Sequence, residues 1–204
     1  MPSTRRTLLT IAATSALAPV LLRPGRAFAE DPSETPRFVG SPNAKVTATE
    51  WYSLTCPHCA RFAVEVFPQI QSQLIDTGKL KYVFGDFPLD QVALKAAMIA
   101  RALPADRYEP FVMSLLKAQA NWAYGEGDHV QKLFPYAAVA GMSRATFDAT
   151  LNDEGLQNWI LAEQKAAQEK YQVDSTPTFI VGLRKAAGEM SFDAFNQLVQ
   201  SAES

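Results

Sequence analysis

The 204-residue chain holds only two cysteines and two histidines. So few cysteines exclude a disulfide-rich scaffold. So few donors also mean that a zinc site would have to be completed by carboxylates or by another chain. There is no basic excess, because 19 Lys and Arg face 21 Asp and Glu. That balance does not fit a nucleic-acid binder, which carries a basic patch or stripe. Internal repeats and low-complexity segments are missing as well. The longest apolar run, Leu8 to about Leu22, is interrupted by Pro19 and falls short of the roughly 20 residues of a membrane-spanning helix.

That run belongs to a recognisable front end. Arg5 and Arg6 precede it, and Ala27-Phe28-Ala29 closes it with an A-x-A cleavage pattern. Residues 1–29 therefore read as a cleaved secretory signal peptide, with the mature chain starting at Glu30. Thr4-Arg5-Arg6-Thr7-Leu8-Leu9 also resembles a twin-arginine export signal. Either route leads out of the cytoplasm, to an oxidising compartment such as the bacterial periplasm. The front end has no cysteine to carry a lipid. Its four arginines have no acidic counterpart, so the remainder holds 15 basic against 21 acidic residues. Residues 30–44, rich in Pro, Ser, Glu and Asp, read as a flexible lead-in.

Both cysteines lie in Cys56-Pro57-His58-Cys59. This spacing is that of a redox dithiol, and it is also half of many zinc sites. A purely structural disulfide is a poor reading, because so short a loop constrains the unfolded chain little. Trp51-Tyr52-Ser53-Leu54-Thr55 runs into the motif like a strand end, and Ala60 to Phe67 runs out like an amphipathic helix. Cys56 then sits at a helix N-terminus, where backbone N–H groups and the helix dipole favour a thiolate. Cys56 is the candidate nucleophile, the more exposed of the two, and Cys59 the candidate resolving thiol. His58 can favour the thiolate by its charge or by hydrogen bonding. Pro57 restricts Cys56 to extended geometry and suits the first helical position.

The rest reads as alternating strand and helix signals. Lys45 to Tyr52 and Leu80 to Phe87 are strands joined by a helix from Cys56 to about Asp76, with Phe62, Val66, Ile70 and Leu74 on one face and a kink at Pro68. Helices are expected over 91–103, 108–118, 129–139, 144–151 and 154–171, the fourth capped by Ser143. Strand signals return at Thr178 to Val181 and Arg184 to Ala187, and a last helix covers Ser191 to Ser201. One α/β sheet is thus built from both ends of the chain around an inserted helical block. Glu50 is an acid on the first strand and Thr176-Pro177 a turn dipeptide. Trp51, Tyr52, Phe179, Trp122 and Trp159 read as packing residues.

These features together resemble the DsbA-type thiol–disulfide oxidoreductases, a thioredoxin fold with an inserted all-helical domain. The motifs carrying the likeness are Cys56-Pro57-His58-Cys59 between strand and helix, Glu50 six residues earlier, Ser175-Thr176-Pro177-Thr178-Phe179, and the helical block. Residues 45–89 and 173–204 correspond to the thioredoxin-like domain and 90–172 to the insertion. Ser53 to Ala60 is also similar to an alphaproteobacterial branch that often carries a second cysteine pair, which this chain lacks. The resemblance implies that Glu50 is buried behind the disulfide with a raised pKa and relays protons toward Cys59; Lys81 is a candidate partner for it. It implies that Pro177 is cis beside the disulfide, leaving a backbone edge for an extended substrate, and that Thr176 tunes the pair. It implies a monomer with no cofactor or metal beyond the Cys56–Cys59 disulfide. That disulfide would pass to unfolded, exported proteins through a mixed disulfide and be restored by a membrane partner of the DsbB kind. An isomerase or reductase of the same fold, and a periplasmic peptide-binding chaperone with incidental thiols, remain as alternatives.

Overall fold

In the computed structural model, which describes residues 31–203, five strands form one mixed sheet in the order β1-β3-β2-β4-β5. The expected signal peptide lies outside the described residues. The strands are β1 (Arg37–Val39), β2 (Val46–Tyr52), β3 (Leu80–Asp86), β4 (Thr178–Val181) and β5 (Arg184–Ala187). β2 and β3 run parallel, with Val46 opposite Leu80 and Tyr52 opposite Asp86, while β4 pairs antiparallel with β2. β2 and β3 are buried toward their C-terminal ends, as central strands covered on both faces should be.

β1 corrects the expectation of a flexible lead-in over residues 30–44. It pairs antiparallel with β3, Arg37 opposite Phe84 and Val39 opposite Tyr82. A short 3-10 turn, Pro32–Glu34, precedes it. The strand is only three residues long, too short to show an alternation of its own. It is held from outside: the buried Arg37 guanidinium donates to the carbonyls of Arg101 and Leu103, on the far side of the molecule's sequence.

The helix after β2 is broken. α1 (Pro57–Glu65) ends where Val66 departs from helical φ, at −113°, and α2 (Phe67–Ile70) follows. Pro68 is the cause: it has no N–H for the carbonyl of Val64, one turn back. A π-turn over Gln71–Ile75 then brings Ile75 into the core beside Leu74, while Val66 stays half-buried rather than on the inner face. Phe62 of α1 packs on Phe179 of β4, ring centroids 4.7 Å apart, which fixes the helix over the sheet.

Between β3 and β4 the chain is helical: α3 (Gln91–Ala102), α4 (Ala105–Lys117), α5 (Gln119–Trp122), α6 (Phe134–Val139), α7 (Arg144–Leu151) and α8 (Glu154–Tyr171). Side-chain oxygens cap three of them. Asp90 accepts from the Ala93 N–H, Ser143 from Thr146 as the sequence suggests, and Asp153 from Leu156. α9 (Phe192–Glu203) returns to the sheet, burying Phe195 and Val199. The architecture is an α/β thioredoxin fold with a helical insertion, and the insertion meets the sheet where β2 and β3 end.

Candidate active site

Cys56 is the N-cap of α1, with extended φ −81° and ψ 121°, the geometry that a following proline imposes. Pro57 occupies the first turn, where a missing N–H costs nothing. Both cysteines are free thiols; Cys56 is 4% exposed and Cys59 fully buried. Their acidities are pulled far apart. Cys56 is lowered from the ordinary 9.0 to about 5, first by a hydrogen bond from the Cys59 thiol, against the cost of burial. Thr176 and the backbone N–H groups of Cys59 and His58 add to it. Cys59 is pushed strongly upward by burial, by its bond to Cys56, and by the charges of Glu50 and Cys56.

The structure brings most of the sequence-derived candidates together. Thr176-Pro177 lies over the pair, its peptide bond is cis, and the Cys56 thiol donates to the Thr176 carbonyl at 3.3 Å. The Thr176 hydroxyl is buried with no other hydrogen-bond partner, so it is free to serve the sulfur. Glu50 is buried on β2 behind the cysteines. Burial, chiefly, lifts its carboxyl from 4.5 to about 7, and the Cys56 charge adds to this. The Glu50 partner is not Lys81, whose ammonium instead sits 4.3 Å from the ring centroid of Phe38 at the sheet edge. It is Tyr82, whose hydroxyl donates to Glu50 Oε2 at 2.7 Å. The period-2 pattern explains the swap: Tyr82 and Lys81 point to opposite faces, and only Tyr82 shares the buried one.

His58 reaches the sulfur through its backbone. Its ring is exposed and turned to a surface cluster, with Nδ1 2.9 Å from an Arg61 nitrogen and 3.3 Å from Glu189 Oε2. Arg61 also donates to Glu189 at 2.9 Å. Sequence reasoning missed Glu189, which lies far along the chain in the turn after β5. It also missed Gln119, a buried glutamine of α5 whose amide reaches the carbonyls of Leu54 and Cys56. Among the described residues, no group of three or more His, Cys, Asp or Glu is placed to hold a metal ion. None of their helices is long and apolar enough to cross a membrane.

These acidities make the reduced fold respond to pH. The folded value of Cys56, about 5, lies below the ordinary 9.0, so folding releases a proton that the unfolded chain keeps. The resulting stability is fully present above the unfolded value and is lost as pH falls through the folded one. Glu50 acts oppositely: raised from 4.5 to about 7, it costs stability as pH climbs through that window. The disulfide form retains only the Glu50 contribution. Thermal unfolding of both redox forms should therefore show the reduced form gaining on the oxidised one as pH rises from about 5 toward the ordinary thiol value. Glu50→Gln should flatten the decline of the oxidised form. A gap between the two forms that did not change with pH would contradict a stabilised Cys56 thiolate.

Comparison with known proteins agrees with this geometry. The profile of a thioredoxin family matches residues 32–201. A proposed protein-disulfide oxidoreductase of Rickettsia felis is 27% identical over 166 residues, covering 80% of this chain. The chain spans 59% of the length of that relative. The thiol:disulfide interchange protein DsbA of Bordetella parapertussis is 27% identical over 159 residues, 75% of this chain and 68% of its own length. Among solved structures, alpha-DsbA1 of Wolbachia pipientis superposes with a TM-score of 0.76 at 28% identity, covering 82% of this chain and 90% of that one.

Proposed function

The chain belongs to the thioredoxin family, in its DsbA-type branch, and on that footing we propose that it is a thiol–disulfide oxidoreductase that donates its Cys56–Cys59 disulfide to exported, folding proteins. The observation that carries this reading is the split between the two thiols, one acidic at a helix N-terminus and one held protonated beneath it. A stabilised thiolate stabilises the reduced pair, and that makes the disulfide an oxidant.

The geometry supports the following chemistry. A substrate thiolate attacks Cys56 Sγ of the disulfide, forming a mixed disulfide and expelling Cys59 as the leaving sulfur. Cys59 takes up a proton, for which Glu50 is the buried acid behind it. A second substrate thiolate then attacks the substrate sulfur, and Cys56 leaves as a thiolate, a good leaving group because it is acidic. Two electrons pass from the two substrate thiols to the pair, and the substrate gains the disulfide. The Thr176 carbonyl, on the cis Thr176-Pro177 peptide, faces the reacting sulfur. A membrane oxidant of the DsbB kind then takes the electrons. Arg5, Arg6, the apolar run and Ala27-Phe28-Ala29 support export to the periplasm.

The test is the reduction potential of the pair in glutathione buffers, with free thiols trapped by alkylation. The expected value lies nearer about −120 mV than about −270 mV, the oxidising and reducing ends of the thioredoxin-fold scale. A value at the reducing end would reassign the chain to a reductase or isomerase. Absence of a reversible couple would end the redox reading.

A further inference from the structure

The segment that carries Cys56 has no secondary structure of its own. Residues 53–56 leave β2 and enter α1 through a turn closed by a single backbone bond, Cys56 N–H to the Ser53 carbonyl at 3.1 Å. Buried carbonyls in such a turn need partners. The buried Leu54 and Cys56 carbonyls, and the half-buried Thr55 between them, find theirs in the helical insertion. Gln119 Nε2 donates to Leu54 O at 2.8 Å and to Cys56 O at 3.0 Å. The Tyr124 hydroxyl donates to Thr55 O at 2.6 Å and lies 3.2 Å from Gln119 Oε1. Gln119 is 5% exposed, and both of its amide hydrogens are used.

One of these carbonyls has a special place. Cys56 O also accepts the Ala60 N–H at 3.1 Å, the first bond of α1. The Gln119 amide therefore grips the peptide on which the helix begins, and the orientation of that peptide decides where Sγ stands relative to the His58 and Cys59 N–H groups. Amide and phenol are neutral donors, so they orient the turn without supplying a counter-charge to the sulfur.

We propose that Gln119 and Tyr124 are positioning residues through which the insertion holds Cys56 on the end of α1, and that this clamp sets how strongly oxidising the pair is. The proposal rests on the redox reading of Cys56. It assigns the insertion a task at the reacting sulfur itself, across more than sixty residues of sequence.

The experiment compares the full chain with Gln119→Leu, which keeps the shape and removes both donors, and with Tyr124→Phe, which removes only the hydroxyl. Two quantities are read: the thiolate titration of Cys56 by its ultraviolet absorbance, and the equilibrium with glutathione. Gln119→Leu should lower the acid dissociation constant of Cys56 about tenfold. The glutathione equilibrium should move about tenfold toward the disulfide, which is about 30 mV more reducing. Tyr124→Phe should move both the same way by a smaller factor. Phe147→Leu, in the core of the insertion beside Phe134, is the control for simple loss of stability. It should lower Tm without moving either quantity. A folded Gln119→Leu with an unchanged thiolate titration overturns the proposal, as does a Phe147→Leu that shifts it equally. Should Gln119→Leu fail to fold, an unshifted Tyr124→Phe overturns it. A wild-type chain without a reversible couple would instead sink the redox reading, and the clamp with it.

Discussion

Cys56→Ser should stop disulfide transfer, whereas Cys59→Ser, once oxidised, should accumulate in covalent complexes with the protein it is offered. The asymmetry follows from where the two sulfurs stand. Cys56 caps the N-terminus of α1, is acidic, keeps a small exposure and donates to the Thr176 carbonyl. Cys59 is fully buried beneath it and pushed toward the thiol form. Removing Cys56 removes the one cysteine sulfur with any exposure among the described residues, so the rate should fall by several orders of magnitude, as when a nucleophile is deleted outright. Removing Cys59 leaves Cys56 able to form mixed disulfides with no internal thiol to resolve them. Each variant is first treated with oxidised glutathione and then incubated with reduced unfolded protein, whose thiolate displaces glutathione from Cys56; separation without reductant provides the reading. A Cys56→Ser variant that still oxidised substrate, or a Cys59→Ser variant that formed no adduct, would break the assignment of roles.

Asp86→Ala costs about 3–5 kcal/mol of stability, the cost of leaving a buried charge without its partner. Asp86 closes β3 and receives donors from three elements. Arg101 of α3 forms a buried ion pair with it, and its Oδ1 lies 3.1 Å from the Tyr52 hydroxyl and 3.2 Å from that of Tyr108. The two tyrosine hydroxyls are themselves 2.8 Å apart. Arg101 reaches further still, to the carbonyls of Ser33 and Thr35, and lies 4.3 Å from the ring centroid of Trp159 on α8. The pair is thus the polar joint between sheet and insertion. Its loss should lower Tm by about ten degrees in a chain of this size. Replacing both partners with apolar side chains, Asp86→Leu with Arg101→Met, should cost less than Asp86→Ala alone, since Arg101 is then not left as an unpaired buried charge. Denaturant unfolding of the single and double variants measures both. A single variant within about 1 kcal/mol of wild type would show that the joint carries no such load.

What could be read from the residues and what could not divides along sequence distance. Cys56-Pro57-His58-Cys59 announces itself because its chemistry is local: a proline at the first helical position, a strand before it and an apolar helical face after it. β4 and β5 match their expected bounds because Thr178 to Val181 and Arg184 to Ala187 sit between sharp turns. β1 was hidden, because a three-residue strand exists only by pairing with β3 and by the grip of Arg37 on α3. Pro68 was visible, yet the break falls at Val66, where the lost hydrogen bond is felt. Glu50 was legible as an acid on a strand, but its partner depended on which neighbour shares its face. Gln119, Glu189 and Asp86 look like ordinary surface residues in sequence. Only tertiary packing shows two of them to be buried, and it places Glu189 beside His58.

The joining of one sheet from two ends of the chain also orders its assembly in time. β2 pairs with β3 through a single short crossover, but its other edge waits for β4, and the Cys56–Thr176 contact spans 120 residues. Closing so long a loop adds little to the thermodynamic cost, since each doubling of length adds only about 0.6 kcal/mol. It does delay the event, because distant contacts reward the chain only after that closure. A polypeptide made from its N-terminus presents its two thiols early and its β4 late. The nascent chain therefore carries a dithiol with ordinary reactivity at first, and the acidic, covered Cys56 is a product of the last stage of folding.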